Sequence, residues 1–396
     1  MSIKIGVGES KKVDSFEAGK EAAIMALEKA EINECDFCLV FSTVGYDLSQ
    51  LLKGIREVTK DAPLVGCSGE GIITQSGSNE EIYGVGVMVV KSDEIAFHPV
   101  MATNLKESSK KAGQEIGKEL SKYLKEKPIA LLLFADCLTV NTDELFKGIE
   151  SSLKRFVPFV GGTSFDNWQF KKTYQFFNDK VLVDSAVAVL VSGDAECLIK
   201  VSHGCEPLGI ERTVTRAEKN IIYEIDGKSA WDVLQEYVGP AEKDMPFGKL
   251  IAHLSFGLKV PKEISTVYDQ YIIRTPMVLD EKTGSIQISA EIKTGTKLQL
   301  VRRDAEKIKM SVEKVASEIK EQLKNKKILG VVHIDCAGRG KAVLGTQVNE
   351  IAIFPLQETL GKDIPWLGFH SGGEIAPIGK RNFFHNYTVV LGVFYQ

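Results

Sequence analysis

The sequence lacks the features that mark a chain for export, for a membrane or for nucleic acid. Its first residues, MSIKIGVGESKK, contain no apolar signal core, and no apolar run approaches the ~20 residues that a membrane-spanning helix needs. The 396 residues carry 49 Lys and Arg against 53 Asp and Glu, a net charge of -4. This balance does not favour binding to nucleic acid or to an anionic membrane surface. We therefore expect a cytoplasmic protein.

The sequence also lacks the cysteine patterns of disulfide scaffolds and zinc sites. Its seven cysteines are scattered and odd in number, which favours reduced thiols over a disulfide framework. Cys35 and Cys38 form one C-x-x-C, but Cys38 lies in the apolar run FCLVF and no second pair follows. We therefore expect no metal site.

Three stretches of the chain repeat one pattern, at 37–71, 129–167 and 328–374. Each begins with an apolar run, continues through a loop of small residues and an amphipathic stretch, and reaches Pro-x-x-Gly at a second apolar run. The pairs are Pro63 with Gly66, Pro158 with Gly161, and Pro365 with Gly368. A further long apolar segment follows each copy, at 82–90, 181–191 and 386–395.

This pattern predicts a strand–helix–strand unit used three times. Continuous apolar runs are typical of strands buried on both faces of a sheet, and the proline ends the helix before the next strand. The predicted fold class is α/β, two-lobed, with mixed sheets built from repeated strand–helix–strand units and antiparallel additions. We place an N-terminal domain at 1–226 and a C-terminal domain at 227–396. Residues 304–324 predict a helix, and 284–301 predict a hairpin that turns at Thr294 and Gly295.

The third copy carries the richest chemistry, in the loops written HIDCAGRGK and GFHSGGE. Ligands of strand–helix–strand sheets bind beyond the carboxyl ends of the strands, and glycines let backbone N–H groups approach a ligand. If the two strands are neighbours, these loops face each other and form a small-ligand site. The candidate lining residues are Asp335, Cys336, Gly338, Arg339, Gly340, His370, Ser371, Gly372, Gly373, Glu374 and Asn386.

Arg339 and Glu374 determine which ligand such a site would take. The planar, charged fork of Arg339 suits a carboxylate or phosphate, and Glu374 could accept from an ammonium group. An amino-acid-like zwitterion would satisfy both side chains. The alternative is a salt bridge between Arg339 and Glu374 that holds the two loops together, and the sequence leaves both interpretations open.

Two other kinds of chemistry stay open at this stage. Cys336, with His370 as base and Asp335 as orienting group, would make a thiol enzyme, although a cysteine at a strand end is more often an apolar plug. His203 could be the single protein ligand that haem iron needs. GRGK does not fit a phosphate loop, because Asp335 replaces the first glycine and Ala342 the metal-binding hydroxyl.

Several short motifs, in order along the chain, resemble the FIST family. They are APLVGCSGEGIIT, FVPFVGGTSFDN, the His-Gly segment that begins VSHGCEPLG, then DCAGRG, GFHSGGEIAP and FHNYTVVL. The resemblance runs from about residue 35 to the C-terminus and implies a FIST N-terminal and a FIST C-terminal domain.

The resemblance implies a stand-alone sensory protein of intracellular signal transduction. Such a protein binds a small ligand, for which amino acids were proposed, and passes the signal to a separate partner such as a histidine kinase. The family offers no shared catalytic residues, so we expect a protein that is not an enzyme and holds no cofactor. Some relatives are haem-bound nitric-oxide sensors, which makes haem at His203 the alternative.

Overall fold

The unit that the sequence repeats is also the unit of the fold. A computed structural model describes residues 3–260, 269 and 271–396. The first unit contains β1 (Lys4–Ser10), α1 (Ser15–Ala30), β2 (Phe37–Ser42), α2 (Leu48–Thr59), β3 (Leu64–Ser68), β4 (Ile72–Thr74), β5 (Gly77–Asn79) and β6 (Val85–Lys91). The second contains β7 (Ile95–Thr103), α3 (Leu105–Leu120), β8 (Pro128–Ala135), α4 (Thr142–Leu153), β9 (Phe159–Thr163), β10 (Gln175–Phe177), β11 (Lys180–Leu182) and β12 (Ser185–Gly193).

The third unit is interrupted after its first strand, β13 (Glu196–Ser202), by an insert. The insert contains β14 (Glu206–Glu218), β15 (Ile221–Ile225), β16 (Lys228–Ser229), α5 (Ala230–Gln235), α6 (Phe247–Leu250), β17 (Leu254–Lys259), β18 (Tyr271–Arg274), β19 (Pro276–Asp280), β20 (Ser285–Ile288) and β21 (Lys297–Arg302). The unit then resumes with α7 (Ala305–Gln322), β22 (Ile328–Cys336), α8 (Lys341–Leu344), α9 (Phe354–Leu360), β23 (Trp366–Ser371), β24 (Gly373–Ile378), β25 (Arg381–His385) and β26 (Val389–Tyr395).

Each unit builds most of one six-stranded sheet. The two apolar runs form a parallel pair in every unit, β2 with β3, β8 with β9, and β22 with β23. The later segments β6, β12 and β26 return antiparallel beside the first strand of each pair. The predicted fold class, mixed α/β with repeated strand–helix–strand units and antiparallel additions, is confirmed.

The three sheets exchange hairpins in a closed cycle, which the sequence did not predict. The hairpin β10–β11 of the second unit pairs with β3 of the first. The hairpin β24–β25 of the third pairs with β9 of the second, and β4–β5 of the first pairs with β23 of the third. Two of these sheets therefore combine strands from both sides of the predicted boundary at 226/227, which stays a prediction.

The Pro-x-x-Gly glycines are required by a close approach between strands. A Cβ atom added at Gly66, Gly161 or Gly368 would lie 1.7, 1.9 or 2.0 Å from a carbonyl oxygen of the neighbouring strand. Those oxygens belong to Val40, Leu133 and His333. Any side chain would therefore collide with backbone in the interior of each sheet.

The common core lies where the three sheets meet. Phe41, Phe134 and Phe369, one from each unit, pack with ring centroids 4.5 to 5.9 Å apart. The insert forms a separate eight-stranded sheet with its own apolar cluster. The predicted helix at 304–324 is confirmed as α7. The predicted hairpin at 284–301 is wrong, because β20 pairs with β15 and β19 while β21 pairs with β14 and β17.

Candidate functional site

The two loops of the third unit contribute to one wall of a cavity of about 420 Å³. The insert supplies another wall, through α6 and the start of β19, and the loop after β9 supplies a third. The cavity therefore forms where the second unit, the third unit and the insert meet. Of the residues predicted from the sequence, it brings together Cys336, Gly338, Ser371, Gly372 and Asn386.

Arg303 is the charged group on the buried side of this cavity. Its side chain follows β21, and only 2% of the residue is exposed. Its Nε donates to the carbonyl oxygen of Ala252 at 2.9 Å, and its Cζ lies 3.5 Å from the ring centroid of Tyr387. Among the described residues, neither Nη1 nor Nη2 has a hydrogen-bond partner. A buried guanidinium with two free nitrogen atoms can bind an anion in a fork geometry.

The remaining lining of the cavity is mostly apolar and carries no acidic group among the described residues. Its aromatic side chains come from the loop after β9 and from Tyr387, and its polar ones include Thr275, Ser371 and Asn386. Lys249 adds a second cation. A small anion with an apolar body matches this combination of charge and surface.

Arg339, which the sequence suggested for the same role, is used elsewhere. Its guanidinium is fully buried, where Nε donates to Asp335 Oδ1 at 2.7 Å and Nη1 donates to the carbonyl oxygen of His203 at 3.2 Å. Burial by itself raises the pKa of the Asp335 carboxyl, but Arg339 and His333 outweigh it and hold that pKa at about 2. The pair is a buried salt bridge, and Arg339 is not among the lining residues.

Strand geometry explains why Arg339 and Asp335 avoid the cavity. Successive side chains of a strand point to opposite faces of its sheet. On β22, Cys336 reaches the cavity, so Asp335 points to the opposite face together with His333. Arg339 follows Asp335 to that face.

Glu374 is also occupied inside the protein. Its Oε1 accepts from Ser371 Oγ at 2.7 Å, and its Oε2 accepts from the backbone N–H and the hydroxyl of Thr388 at 3.0 and 2.8 Å. Burial raises the pKa of its carboxyl to about 7. In the described part of the chain no ion pair joins Arg339 to Glu374, so the salt-bridge alternative differs from the structure as well.

The backbone donors around Gly340 are used within the protein itself, since the N–H group of Gly340 donates to the carbonyl oxygen of Ala337 at 3.2 Å. The N–H group of Lys341 donates to both oxygens of Glu80, at 3.0 and 2.8 Å, and a Cβ atom at Gly340 would lie 2.4 Å from Glu80 Oε2. Glu80 follows the hairpin that the first unit contributes to the third sheet. The GRGK turn therefore connects the third unit to the first through hydrogen bonds.

The residues of the thiol-enzyme hypothesis are not arranged as a catalytic pair. Cys336 lines the cavity, but burial raises the pKa of its thiol well above the ordinary value. His370 is fully buried and lies against the first unit instead, with Nε2 2.8 Å from Ser78 Oγ.

Gly373, another predicted lining residue, begins β24, where Phe384 fills the space a Cβ atom would need.

The haem alternative does not fit the described histidines. None of them is among the residues that line the cavity. His203 is 3% exposed, its Nδ1 accepts from the Cys205 N–H at 2.8 Å, and its Nε2 lies 3.8 Å from Asp269. Burial lowers the pKa of its imidazole. In the parts of the chain that the structure describes, no group of three or more His, Cys, Asp or Glu side chains could hold a metal ion.

The fold and the cavity define an α/β protein with a ligand-sized site between repeated units and an insert. The chain belongs to the FIST family. The FIST N domain matches residues 36–228 and the FIST C domain matches residues 230–377, so the family prediction is confirmed. FIST domains are associated with sensing in signal transduction.

The similar proteins are themselves uncharacterized. The chain is 25% identical to Mb0898c of Mycobacterium bovis over 402 residues, covering 99% of both chains. It is 25% identical to Rv0628c of Mycobacterium tuberculosis, over 99% of this chain and all of the relative. MJ1623 of Methanocaldococcus jannaschii is 26% identical over 69% of this chain and 54% of its own length. Within the described residues, no helix combines the length and apolar character that crossing a bilayer requires.

Among the solved structures that the chain matches is a distant neighbour. The PurLQS structure from Thermotoga maritima aligns with a TM-score of 0.24 and 6% identity, over 99% of this chain and 72% of that one.

Arg303 and the aromatic residues around it were not predicted from the sequence. Arg303 and Arg302 adjoin each other before the helix cap Asp304, and nothing in their sequence context separates the two. Arg302 pairs with Glu242 near the surface, whereas Arg303 is buried. Only the packing of the insert against the third unit distinguishes them.

Proposed function

We propose that this protein is a non-enzymatic sensor that binds a small carboxylate in the cavity at Arg303 and passes the signal to a separate signalling partner. The observation that carries the proposal is the Arg303 guanidinium, which is 2% exposed and has two nitrogen atoms without a hydrogen-bond partner in the described residues. A buried charge without a partner costs several kcal/mol. A ligand carboxylate would remove that cost.

The contacts of Arg303 favour binding over a purely structural role. Nε is fixed on Ala252, and the flat face of the guanidinium rests on Tyr387, whose hydroxyl donates to the carbonyl oxygen of Ile251 at 2.9 Å. These contacts hold the group rigidly while leaving its terminal nitrogens free. Such preorganisation lowers the entropy that a ligand loses on binding.

The charge balance of the lining modifies the ligand class expected from the sequence. Glu374, the expected partner for an ammonium group, is not a lining residue. Arg303 and Lys249 are both cationic, and no acidic side chain among the described lining residues balances them. The proposed ligand is therefore an anion with an apolar body, and an amino acid would be held through its carboxylate.

The position of the cavity supports a sensory role. It joins a loop of the second unit, the turns of the third unit and the insert, so an occupied cavity favours one arrangement of three parts of the chain. A ligand shifts such an arrangement only by its difference in affinity between two states. A partner such as a histidine kinase, bound across these parts, would detect the change.

A thermal-shift screen with a matched pair of arginine variants tests the proposal. Acetate, hexanoate, benzoate and L-phenylalanine would be titrated against the wild type, Arg303→Gln and Arg381→Gln. Arg381 is an exposed arginine that also lies over an aromatic ring, that of Phe383. A carboxylate at 100 times its dissociation constant should stabilise the wild type and Arg381→Gln by about 2.7 kcal/mol.

The same carboxylate should not stabilise Arg303→Gln. Equal stabilisation of Arg303→Gln and the wild type would show that the ligand binds elsewhere. If none of the carboxylates stabilises the wild type, the proposed site is wrong.

A further inference from the structure

A cluster of three aromatic rings forms the wall of the cavity that the second unit supplies. Trp168 and Phe170 both pack edge-on against Phe165, with centroid distances of 5.0 and 5.4 Å and interplanar angles of 86° and 89°. Phe165 is buried, whereas Trp168 is 44% and Phe170 47% exposed. Two large rings are therefore half uncovered in the cavity that Arg303 also lines.

The backbone that carries these rings adopts an unfavourable conformation. Asn167, Trp168 and Phe170 have φ angles of 55°, 57° and 51°, in the left-handed region that bulky residues rarely occupy. Asp166 stabilises the turn, because its carboxylate accepts from three backbone N–H groups. The donors are Phe170, Lys171 and Lys172, at 2.9, 2.7 and 2.9 Å.

Neither the two exposed rings nor the strained turn that carries them is needed to close the core. The apolar contacts of Phe165 bury that ring, but Trp168 and Phe170 add large surfaces that stay in contact with water. Strained backbone of this kind persists where surrounding structure over-determines it and is concentrated at ligand-binding sites.

We infer that the ligand of this cavity is an aromatic carboxylate, whose ring packs against Trp168 and Phe170 while its carboxylate binds Arg303. The inference rests on the proposed function and specifies its ligand class. Aromatic rings prefer offset or edge-to-face packing, and each such pair adds affinity beyond the area it buries. A cavity of about 420 Å³ accommodates a one- or two-ring acid.

The mouth of the cavity is consistent with a flat ligand. Met277 lies on the insert side, is 41% exposed and also lines the cavity. Thioether sulfur atoms make favourable contacts with aromatic rings. A ring held between Met277 and the aromatic cluster would cover apolar surface on both sides.

Three probes of similar size separate the charge from the ring. Benzoate has both features, cyclohexanecarboxylate keeps the charge on a saturated ring, and benzamide keeps the aromatic ring without the charge. Their dissociation constants would be measured by titration calorimetry with the wild type, Trp168→Leu, Trp168→Phe and Arg303→Gln. Leucine and phenylalanine carry the same left-handed backbone cost as tryptophan, so the loop is not relieved of strain.

The inference predicts that benzoate binds the wild type about threefold to tenfold more tightly than cyclohexanecarboxylate. Trp168→Leu should weaken benzoate by a similar factor and change cyclohexanecarboxylate by less than twofold. Trp168→Phe should restore most of the benzoate affinity. Benzamide should bind at least tenfold more weakly than benzoate. Arg303→Gln should abolish this difference between benzoate and benzamide, but not the difference between benzoate and cyclohexanecarboxylate.

The outcomes separate this inference from the proposed function. Equal, Arg303-dependent binding of benzoate and cyclohexanecarboxylate would overturn the aromatic ligand class and leave the carboxylate site intact. The same holds if Trp168→Leu weakens both acids equally. Failure of both acids to bind the wild type would overturn the inference and count against the carboxylate site as well.

Discussion

Arg339 and Asp335 form a salt bridge of 2.7 Å in which both side chains are fully buried. The pair lies on the face of β22 opposite to the cavity. His333 extends the network, since its Nε2 lies 3.4 Å from Asp335 Oδ2 and its Nδ1 accepts from Trp366 Nε1 at 3.2 Å. The arginine of the glycine-rich turn is therefore a structural group. Within the described residues, Arg303 leaves both of its terminal nitrogens without a hydrogen-bond partner.

Removing one partner of the buried pair should destabilise the protein strongly. Asp335→Asn leaves the Arg339 guanidinium buried beside a neutral amide, and we expect a loss of about 3–5 kcal/mol in the free energy of unfolding. Asp335→Leu combined with Arg339→Met removes both charges and should cost clearly less. Chemical denaturation of the three proteins measures this. If the double variant is less stable than Asp335→Asn, the pair itself contributes the stability.

Arg303→Met should have the opposite effect on the ligand-free protein. The buried guanidinium lacks partners for two nitrogen atoms in the described residues, so replacing it with an apolar side chain of similar length should be neutral or stabilising by about 1 kcal/mol. Carboxylate binding should disappear in the same variant. A loss of about 3–5 kcal/mol would instead show that the folded protein already compensates this charge.

Glu374 should make stability depend on pH near neutrality. Burial raises the pKa of its carboxyl from 4.5 in the unfolded chain to about 7 in the folded protein, so the folded state binds the extra proton. Its contribution is fully present below pH ~4.5 and is lost as the pH rises towards ~7, a difference of about 3 kcal/mol.

Glu374→Gln, which cannot ionise, should make this part of the stability profile less steep. Glu70, whose carboxyl pKa burial also raises, to about 8, should keep a slope of the same sign from pH ~4.5 to ~8 in both proteins. Denaturation at a series of pH values measures both effects. An unchanged profile between pH 5 and 7 in Glu374→Gln would contradict the assignment.

The glycine of the repeated Pro-x-x-Gly motif should tolerate no side chain. In Gly161→Ala the new Cβ atom would lie 1.9 Å from the carbonyl oxygen of Leu133, so the strands must separate, at a cost of about 3 kcal/mol or more. Gly248→Ala is the matched control, because a Cβ atom there has nothing within 4 Å. Equal melting temperatures of the two variants would contradict the close approach of β8 and β9.

The repeated unit could be predicted from the sequence because its signals are local. Each parallel pair follows from apolar runs, a connecting helix and the Pro-x-x-Gly motif within about 40 residues of chain. The hairpin exchange could not be predicted. β4, β10 and β24 are short segments, and each pairs with a strand of another unit. The wrong hairpin at 284–301 has the same cause, since the partners of β20 and β21 lie elsewhere in the insert.

Both glycine-rich turns that the sequence singled out line the cavity, but only some of the predicted residues reach it. Both glycine-rich turns meet the cavity, as expected for loops at the carboxyl ends of neighbouring parallel strands. The sequence did not show that Arg339 would turn away with Asp335. It also did not indicate that Arg303, which follows the last strand of the insert and precedes α7, would line the same cavity as the turns.

Anomalous diffraction from crystals of the protein grown with 4-bromobenzoate tests the central claim most directly, because the bromine marks one end of the ligand and the carboxylate the other. We predict a bromine peak beside Trp168 and Phe170, with the carboxylate oxygens within hydrogen-bonding distance of Arg303 Nη1 and Nη2. A bromine peak outside this cavity, or a carboxylate that binds Arg339 in place of Arg303, would contradict the account.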